Sequence, residues 1–373
     1  MKKRYYAYIG MLCSLLVLVG CDKESITPET GEKVPITLSA PSLPVSIDIQ
    51  TLSTASSQGI QTRAETINNR SIGVVAVNAT GDELSDVVGW NDYYLNHVQA
   101  LGTDTPLNGE EEVTFVSPSQ QWWPFNPNEY LAFVAYSPYH GSSGDNRVTR
   151  DGTSNTLRVT SNEEGSFPDF VYTTPVGPWN KEFAKVSPNK AVSLGEFKHA
   201  MAKLDIKVHL VDKDGDTLPS NLYPNPNRIR ITELKVSTER NGGEFDLIQT
   251  ASPSTWRMDA LTTEKTVRTH INSSTPLTPT LSTYTDCFLL PGTEGVSYVS
   301  IRIQELAASG STIINDITRK ARINEFALEP SGTATLEMGK TTLLTIKVKY
   351  VPIPDPKTDV ILEGQLVEWD YKG

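Results

Sequence analysis

The clearest pattern of apolar and polar positions lies near the middle of the chain, in the stretch AMAKLDIKVHL of residues 200–210. Every even position from Ala200 to Leu210 is apolar. The odd positions include Lys203, Asp205, Lys207 and His209. A period of two is typical of a strand with one buried face, whereas a helix repeats its apolar positions every three or four residues. We therefore predict a half-buried antiparallel strand that holds these four polar side chains in water, and we expect it to open a second domain.

The same alternation occurs near the N-terminus, in residues 34–40. The side chains that would share one face are Val34, Ile36, Leu38 and Ala40. Pro35 restricts this segment to a sheet edge or to the start of a strand, so we predict a short edge strand. Residues 72–77 and 130–136 are continuous apolar runs, which predicts two strands covered on both faces in the core of the first domain.

Further short strands are predicted along the whole chain. They cover residues 169–173, 228–236, 288–290, 296–303, 324–328, 343–351 and 360–369. No long helical pattern separates them, which favours β-sandwiches over a parallel α/β sheet. A length of 373 residues suits two hydrophobic cores, so the predicted fold class is all-β, with two tandem β-sandwich domains.

The first residues of the chain form a secretory signal. Three basic residues at positions 2–4 precede an apolar run over residues 9–19, which is shorter than the about 20 residues that span a bilayer. A Val-Gly-Cys sequence that ends at Cys21 has the form of a lipobox. We therefore predict that residues 1–20 are a lipoprotein signal peptide and that Cys21 carries the lipid.

The other cysteines argue against an intramolecular disulfide and a catalytic thiol, and the net charge argues against a nucleic-acid partner. Cys13 leaves with the signal peptide, so a lipidated Cys21 leaves Cys287 with no partner for an intramolecular disulfide. The apolar neighbours of Cys287 in DCFLLPG predict a buried core thiol instead of a nucleophile. The net charge of −11 disfavours nucleic acid as a partner, because nucleic acid attracts basic patches.

Candidate catalytic residues are scarce. Of the five histidines, His199 and His209 lie closest in the sequence, and on one strand they would be about 33 Å apart, too far to share a metal ion. The sequence contains no zinc-protease, nucleophile-elbow, phosphate-loop or dinucleotide-binding motif. We therefore predict no catalytic residue, no cofactor and no metal.

Residues 212–216 resemble the start of a calcium-binding loop. Thr217 and Tyr223 stand where that loop requires a glycine and a glutamate. Asp214 followed by Gly215, directly after a strand, is instead typical of a hairpin turn. A turn is therefore the preferred interpretation, with a calcium site as the alternative.

Two tryptophans, Trp122 and Trp123, are adjacent in the sequence. Neighbouring residues of a strand point to opposite faces, so at least one tryptophan is expected in the core and the other at a rim. Stacking on a sugar ring is the alternative role for either side chain.

A series of short motifs follows in order along the chain. They are the lipobox at Cys21, TRA at 62–64, WWP at 122–124, YLAFVAYSP at 130–138, FKHAMAKLDIKV at 197–208, FLLPG at 288–292 and a closing strand with EW. In this order they resemble the fimbrillin family of Bacteroidales type V pili, over nearly the whole chain. The resemblance implies two transthyretin-like β-sandwich domains, export as an outer membrane lipoprotein and assembly with other fimbrial subunits into surface fimbriae that mediate cell adhesion.

The resemblance also implies proteolytic processing. In that family a trypsin-like, Arg-specific protease removes the lipidated N-terminal segment, and Arg63 matches the cleavage position best, with Arg70 as the competitor. We therefore expect a signal peptide over residues 1–20, a propeptide with the first strand over 21–63, and domains over 64–195 and 196–373. Whether the subunit belongs to the stalk, the anchor or the tip of a fimbria stays open.

Cleavage after Arg63 would free the strand of residues 34–40. A strand that buries four small apolar side chains is marginal by itself and depends on its covalent tether. Its departure would expose an unpaired edge and an apolar groove for a strand from a neighbouring subunit. The resemblance suggests the C-terminal region as the donor, with residues 343–351 or 360–369 as candidates.

Two other classes of protein stay open. A surface lipoprotein that binds polysaccharide without polymerising would use exposed tryptophans. A secreted hydrolase would need a cleft with paired carboxylates.

Overall fold

The computed structural model describes residues 33–41, 69–107, 109–141, 146–150, 152, 154–162, 166–187, 191–212, 214–218, 228–248, 256–307, 311–328 and 332–350, and the backbone of 358–368. The fold is all-β, as predicted. Among the described residues, no helix has the length and apolar character needed to cross a membrane. The signal peptide, Cys21 and Arg63 lie outside the described residues.

The first part of the chain contains eleven strands and one short helix. They are β1 (Thr37–Ala40), β2 (Ser71–Ala79), β3 (Tyr93–Leu107), β4 (Glu110–Phe115), β5 (Tyr130–Ser137), β6 (Val148–Arg150), β7 (Thr156–Thr160), β8 (Val171–Thr173), β9 (Val176–Trp179), α1 (Lys181–Val186), β10 (Ala191–Ser193) and β11 (Phe197–His199).

The second part contains the remaining strands. They are β12 (Ala202–Val211), β13 (Ile229–Thr238), β14 (Gly242–Asp246), β15 (Arg257–Met258), β16 (Lys265–Ile271), β17 (Thr275–Pro276), β18 (Ser282–Leu289), β19 (Ser297–Leu306), β20 (Ile313–Arg322), β21 (Ala327–Leu328), β22 (Lys340–Tyr350) and β23 (Thr358–Glu368). Across both parts, the described residues also include short 3₁₀ turns at Leu84–Asp86, Glu294–Val296 and Ile323–Glu325.

A nine-stranded sheet forms most of the first part. Its strand order is β10-β1-β4-β3-β2-β5-β8-β11, and β9 also pairs with β5. The end strands β10 and β11 are joined by residues 194–196, which reach about 14 Å at most. Seven strand intervals in a flat sheet would separate them by about 34 Å. The sheet therefore curls on itself, and a core of buried side chains fills its interior.

Two five-stranded sheets form most of the second part. One has the order β18-β12-β22-β23-β21; the other has the order β16-β13-β19-β20, with β17 beside β13. Apolar residues of both sheets, such as Ile206, Val236 and Ile301, belong to one core. The two sheets therefore form a β-sandwich. The chain passes from the nine-stranded sheet to this sandwich between β11 and β12.

A four-stranded sheet joins the two parts. Strands β6 and β7 come from the first part and β14 and β15 from the second, and β7 pairs with β14 from Thr156↔Asp246 to Thr160↔Gly242. Beside it, Phe245 packs against Phe170 at a ring distance of 5.3 Å and against Trp256 at 5.1 Å. The two parts therefore share backbone pairing as well as side-chain contacts.

The structure corrects the prediction for residues 200–210. The strand and its apolar face are confirmed, but its pairing is antiparallel only to β18 and is parallel to β22. Lys203, Asp205 and Lys207 are only 5%, 7% and 9% exposed, so these side chains do not lie in water. Strand β12 lies between β18 and β22, so neighbouring side chains stand beside its outer face on both sides. The alternating sequence pattern predicted which side chains share a face, but it did not predict that the polar face is also buried.

Other predictions are confirmed. Strands β2 and β5 are buried on both faces. Residues 212 and 214–216 belong to a turn in which the Asp216 carbonyl accepts a hydrogen bond from the Asp212 amide, and Gly215 has a φ of +91°. Cys287 is buried, and desolvation raises the pKa of its thiol to about 12, as expected of an unreactive core thiol.

A buried histidine lies on the outer face of the nine-stranded sheet. His97 has a φ of +52°, and the Tyr136 hydroxyl lies 3.2 Å from its Nδ1 and 2.6 Å from Nδ1 of His140. Its Nε2 has no hydrogen-bond partner among the described residues. Burial, the charge of Arg150 and the neighbouring His140 lower the pKa of His97 to about 3. Tyr93 packs edge-on against the same ring. The imidazole is therefore neutral in the folded protein at ordinary pH.

This histidine should make the stability of the fold depend on acid pH. Because its folded pKa is lower than its unfolded pKa of about 6.5, the stabilisation is complete above pH 6.5 and is lost as the pH falls toward 3, by up to about 4 kcal/mol. Asparagine tolerates positive φ and does not titrate, so His97→Asn should flatten this part of the pH profile. Urea unfolding between pH 7 and 4 measures it; equal slopes for both proteins would contradict the assignment.

Candidate functional site: the slot around the N-terminal strand

The N-terminal strand is built as its sequence predicts, with one apolar face. Val34 and Ile36 are buried, and Leu38 and Ala40 are fully buried. All four belong to the core inside the nine-stranded sheet. The predicted face is therefore confirmed.

The predicted edge position of this strand is wrong. Strand β1 lies between β4, to which it is antiparallel, and β10, to which it is parallel. Pro35, which indicated an edge, precedes β1 and pairs with Trp122 in an isolated bridge. The proline thus lies at the start of the strand. Besides an edge strand, this is a position in a sheet where a residue without an N–H is tolerated.

We call the space that residues 34–40 occupy the N-terminal slot. Its first flank is β4 together with residues 121–123: Leu38 pairs with Val113, the Ile36 amide donates to the Gln121 carbonyl at 2.9 Å, and the Trp123 amide donates to the Val34 carbonyl at 2.9 Å. This flank is held from behind, because β4 also pairs with β3.

The second flank of the slot is β10. Leu38 pairs with Val192, Ser39 pairs with Ser193, and the Leu194 amide donates to the Ser39 carbonyl at 2.8 Å. Within the described part of the chain, β1 is the only strand that pairs with β10. The second flank therefore depends on the strand that fills the slot.

A side-chain bridge connects the two flanks. The Ser193 hydroxyl donates a hydrogen bond to Oε1 of Glu110 at 2.9 Å, so the end of β10 is linked to the start of β4. Ser39 lies between the paired residues of these strands and is only 3% exposed. Strand β1 is thus enclosed on both sides and on both faces at this point.

The aromatic residues near the start of the slot have different roles. Trp123 is 3% exposed and packs edge-on against Phe133, whereas Trp122 is 38% exposed. The ammonium group of Lys33 lies 5.8 Å from the Trp122 ring, and the Tyr94 hydroxyl donates to the Trp122 carbonyl. The expected division into one core and one rim tryptophan is confirmed. Lys33 already covers one face of the ring that would stack on a sugar.

Arg70, the competing cleavage position, is fixed in the fold. Its guanidinium contacts Asp169 at 3.1 Å, and Asp169 lies 2.8 Å from Nδ1 of His199. Burial would raise the pKa of Asp169, but the hydrogen bond and charge of His199 and the charge of Arg70 hold it below its usual value. The Arg70 carbonyl also accepts a hydrogen bond from the Gly102 amide, directly before β2.

The two predicted donor segments differ in their environment. Strand β22 pairs with β12 on one side and β23 on the other, and its Leu344, Ile346 and Val348 are fully buried. Strand β23 pairs along its length with β22, but on its other side, within the described residues, only Glu363 and Gly364 pair with β21. Strand β22 is therefore part of the core, and β23 is peripheral for most of its length.

The chemistry available at the slot is that of strand recognition. Among the described residues, no group of three potential metal ligands comes together. The slot instead offers two rows of backbone donors and acceptors and an apolar floor that includes Val113, Phe115 and Val192. Such an arrangement binds an extended peptide with alternating apolar residues.

The fimbrillin-like family profile matches residues 62–369, which is most of the chain. The chain belongs to the fimbrillin-like family. A candidate cell adhesion protein from Bacteroides uniformis has a similar structure, with a TM-score of 0.50 and 14% identity over 90% of this chain and 98% of that one. No curated protein matches the chain.

Two other solved structures are more distant. A candidate cell adhesion protein from Bacteroides eggerthii has a TM-score of 0.42 and 10% identity over 91% of this chain and 97% of that one. A fimbrial protein from Bacteroides ovatus has a TM-score of 0.29 and 10% identity over 89% of this chain and 54% of that one.

Family membership decides the general class of the protein. This fimbrillin is a structural or adhesive subunit of the cell surface and not an enzyme. The resemblance found in the sequence is confirmed, and the hydrolase alternative is excluded.

Parts of the slot had no signal in the sequence. Strand β10 has three residues and no extended pattern, and Glu110 lies in an acidic run that is typical of solvent-exposed surface. Their role follows from their position on either side of β1, which local sequence does not encode.

Proposed function

We propose that this protein is a fimbrial subunit that is exported as an outer membrane lipoprotein, is cleaved by an Arg-specific protease and polymerises by donor-strand exchange with other subunits. The observation that carries the proposal is the N-terminal strand itself. It occupies a core position between two flanks, yet it precedes the proposed cleavage site in the sequence. One peptide-bond cleavage would turn it from a tethered strand into a separate peptide.

The contacts of Arg70 support Arg63 as the cleavage site. A trypsin-like protease binds an extended, accessible segment, but the Arg70 side chain contacts buried Asp169 and its carbonyl is paired to Gly102. Cleavage at Arg70 would require this end of β2 to open. Arg63 is the preceding arginine in the sequence.

The environment of the C-terminal strands supports β23 as the donor. Removing β22 would separate β12 from β23 and uncover a row of fully buried side chains. Removing β23 breaks its long ladder with β22 and its two-residue pairing with β21, both at the border of the sandwich. Strand β23 is therefore the segment that a subunit can extend toward a neighbour at lower cost.

The sequence of β23 fits the slot in one direction and one register. The slot holds, in chain order, Val34, Ile36, Leu38 and Ala40. Alternate residues of β23, in chain order, are Thr358, Val360, Leu362 and Gly364. Each of these four inward-facing donor residues is equal in size to the residue that it replaces or is smaller. On the other face, Glu363 would replace the smaller Ser39, which is 3% exposed. The reverse direction, or a shift by two residues, places a side chain larger than alanine at the Ala40 position or a glycine at a large one, at a cost of several kcal/mol.

This register explains why the native strand occupies the slot before cleavage. Replacing isoleucine by valine and alanine by glycine loses about 0.8 kcal/mol for each methylene. The donor therefore buries less apolar surface than residues 34–40, which are also tethered to the slot. Cleavage removes the advantage of the tether.

The lipid anchor is tested at Cys21. Metabolic labelling with an acyl-chain analogue should mark the wild-type precursor and be absent from Cys21→Ser. Equal labelling of the two proteins would refute lipidation at this residue.

The cleavage site is tested by two matched arginine substitutions. Arg63→Ala should leave a folded, uncut monomer that does not polymerise with protease, whereas Arg70→Ala should be cut and polymerise. N-terminal sequencing and negative-stain microscopy provide the readouts. Normal fibres from Arg63→Ala would show that cleavage occurs elsewhere, and equal polymerisation of uncut wild-type protein would refute the exchange mechanism.

The exchange itself is tested by locking the native strand. Leu38 and Val113 are directly paired, so their Cα atoms lie about 4.5–5.5 Å apart, within the range of a disulfide. Oxidised Leu38→Cys/Val113→Cys should be cut by protease but stay monomeric, and reduction should restore fibres. Each single variant is a control. Fibres from the oxidised double variant would contradict exchange at this slot.

The register is tested at Glu363. In the proposed register this residue takes the place of Ser39 and lies opposite Glu112, and directly opposed like charges cost up to about 1 kcal/mol. Glu363→Gln should therefore speed polymerisation about two- to fivefold. Glu368→Gln, outside the fitted segment, is the matched control. No difference between the two variants would favour the register shifted by two residues, which places Gln365 beside Glu112.

A further inference from the structure

The two flanks of the N-terminal slot are not held equally. Strand β4 pairs with β3 as well as with β1, so it stays in the sheet when β1 leaves. In the described part of the chain, β10 pairs with no strand except β1. Departure of β1 therefore leaves β10 without any ladder and leaves β4 with an unpaired edge.

The directions of the strands allow these two edges to pair with each other. Strand β1 is antiparallel to β4 and parallel to β10, so β10 and β4 are antiparallel. Leu38 pairs with Val113 on one side and Val192 on the other. With β1 absent, these two valines would face each other across about two strand spacings, roughly 9.5 Å. A movement of β10 by one spacing would bring them into register.

We propose that β10 pairs directly with β4 after β1 leaves, and that it closes the slot until a strand from a second copy of the chain reopens it. This inference rests on the proposed function, since it requires removal of β1 by cleavage. Closure satisfies backbone groups that would otherwise form two unpaired edges above an apolar floor. It also brings Val113 and Val192 into contact in place of the Leu38 side chain that separated them.

Three features of β10 suit this movement. The strand has only three residues, so one short segment must shift, together with the buried Val192 side chain and the hydrogen bond from the Ser187 hydroxyl to the Ala191 carbonyl. The Ser193 hydroxyl already bridges to Glu110 on the opposite flank, in the direction in which β10 would move. Gly195, just after β10, has a φ of +74°, which glycine adopts without strain, and a Cβ there would lie 2.8 Å from the Val176 side chain.

Closure changes how a processed subunit behaves. An open slot is an exposed sheet edge beside an apolar groove, which promotes unspecific strand pairing. A closed slot protects the monomer, and an incoming donor strand must displace β10 before it can pair with both flanks. The rate of fibre growth is then limited by the reopening of the slot, and not by the rate at which subunits meet.

A disulfide between the flanks tests this proposal. In uncut Val113→Cys/Val192→Cys, β1 holds the two Cα atoms about two strand spacings apart, beyond the roughly 4.4–6.8 Å of a disulfide, so both thiols should stay free. After cleavage and loss of the N-terminal peptide, mild oxidation should remove nearly all free thiol at positions 113 and 192. The oxidised monomer should not form fibres, and reduction should restore them. Cys287 is buried and does not compete.

A positive control comes from the adjacent pair. Leu38→Cys/Val113→Cys should form its disulfide before cleavage under the same oxidation, which shows that the conditions suffice. Amide exchange of cleaved wild-type protein is a second measurement that needs no cysteine. In the closed state the amides of β10 stay protected after the N-terminal peptide has gone.

The outcomes separate the two hypotheses. If the peptide is released and fibres form, but the Val113 and Val192 thiols stay free and β10 exchanges rapidly, closure is refuted and the proposed function stands. If the disulfide between positions 113 and 192 forms equally fast in uncut protein, the proposal that the slot closes only after β1 leaves is also refuted. If cleavage neither releases the peptide nor permits fibres, the proposed function fails, and closure fails with it.

Discussion

The double pairing of the N-terminal strand is the constraint on which the first sheet depends. Strand β1 completes a ladder with β4 on one side and with β10 on the other, and its four inward side chains fill the interior of the curled sheet. A strand at the border of a sheet can leave at the cost of one ladder. A strand inside the sheet leaves two edges and a cavity, so its place must be filled again. The double pairing that stabilises the uncut protein would therefore leave a site for another strand if the tether were cut and β1 left.

Sequence periodicity predicted which side chains of a strand face the core, but it did not predict which strands lie beside it. The apolar face of residues 34–40 was correct, because alternation is a local property of the backbone. The edge position was wrong, because the partner β10 comes more than 150 residues later and has three residues without a pattern of their own. For Lys203, Asp205 and Lys207 the strand was right and the exposure was not, because β12 is an inner strand between β18 and β22. Pairing between distant segments is what local sequence cannot specify.

The connection between the two halves shows the same limit. Nothing in residues 242–246 indicates that they pair with residues 156–160 of the first half, yet this pairing joins the halves through one sheet. The aromatic contacts of Phe245 with Phe170 and Trp256 add a packed cluster beside it. The halves we expected as separate domains are thus connected by hydrogen bonds across β7 and β14, in addition to the covalent link between β11 and β12. In a fibre, tension applied to one half would pass to the other through these strands.

The competition between the native strand and a donor follows from concentration as much as from contact area. A tethered strand has an effective concentration in the millimolar range, which a second subunit does not reach at ordinary protein concentrations. The segment of residues 358–364 is also slightly smaller at its apolar positions than residues 34–40, so contact area alone does not favour exchange in the precursor. In the proposed mechanism, the peptide released by cleavage would be diluted away, whereas the donor would remain attached to a folded subunit. In the proposed exchange, the direction of assembly would therefore depend on which strand keeps its covalent connection. A donor that matched the slot perfectly would make the fibre more stable but would leave the precursor less protected from exchange.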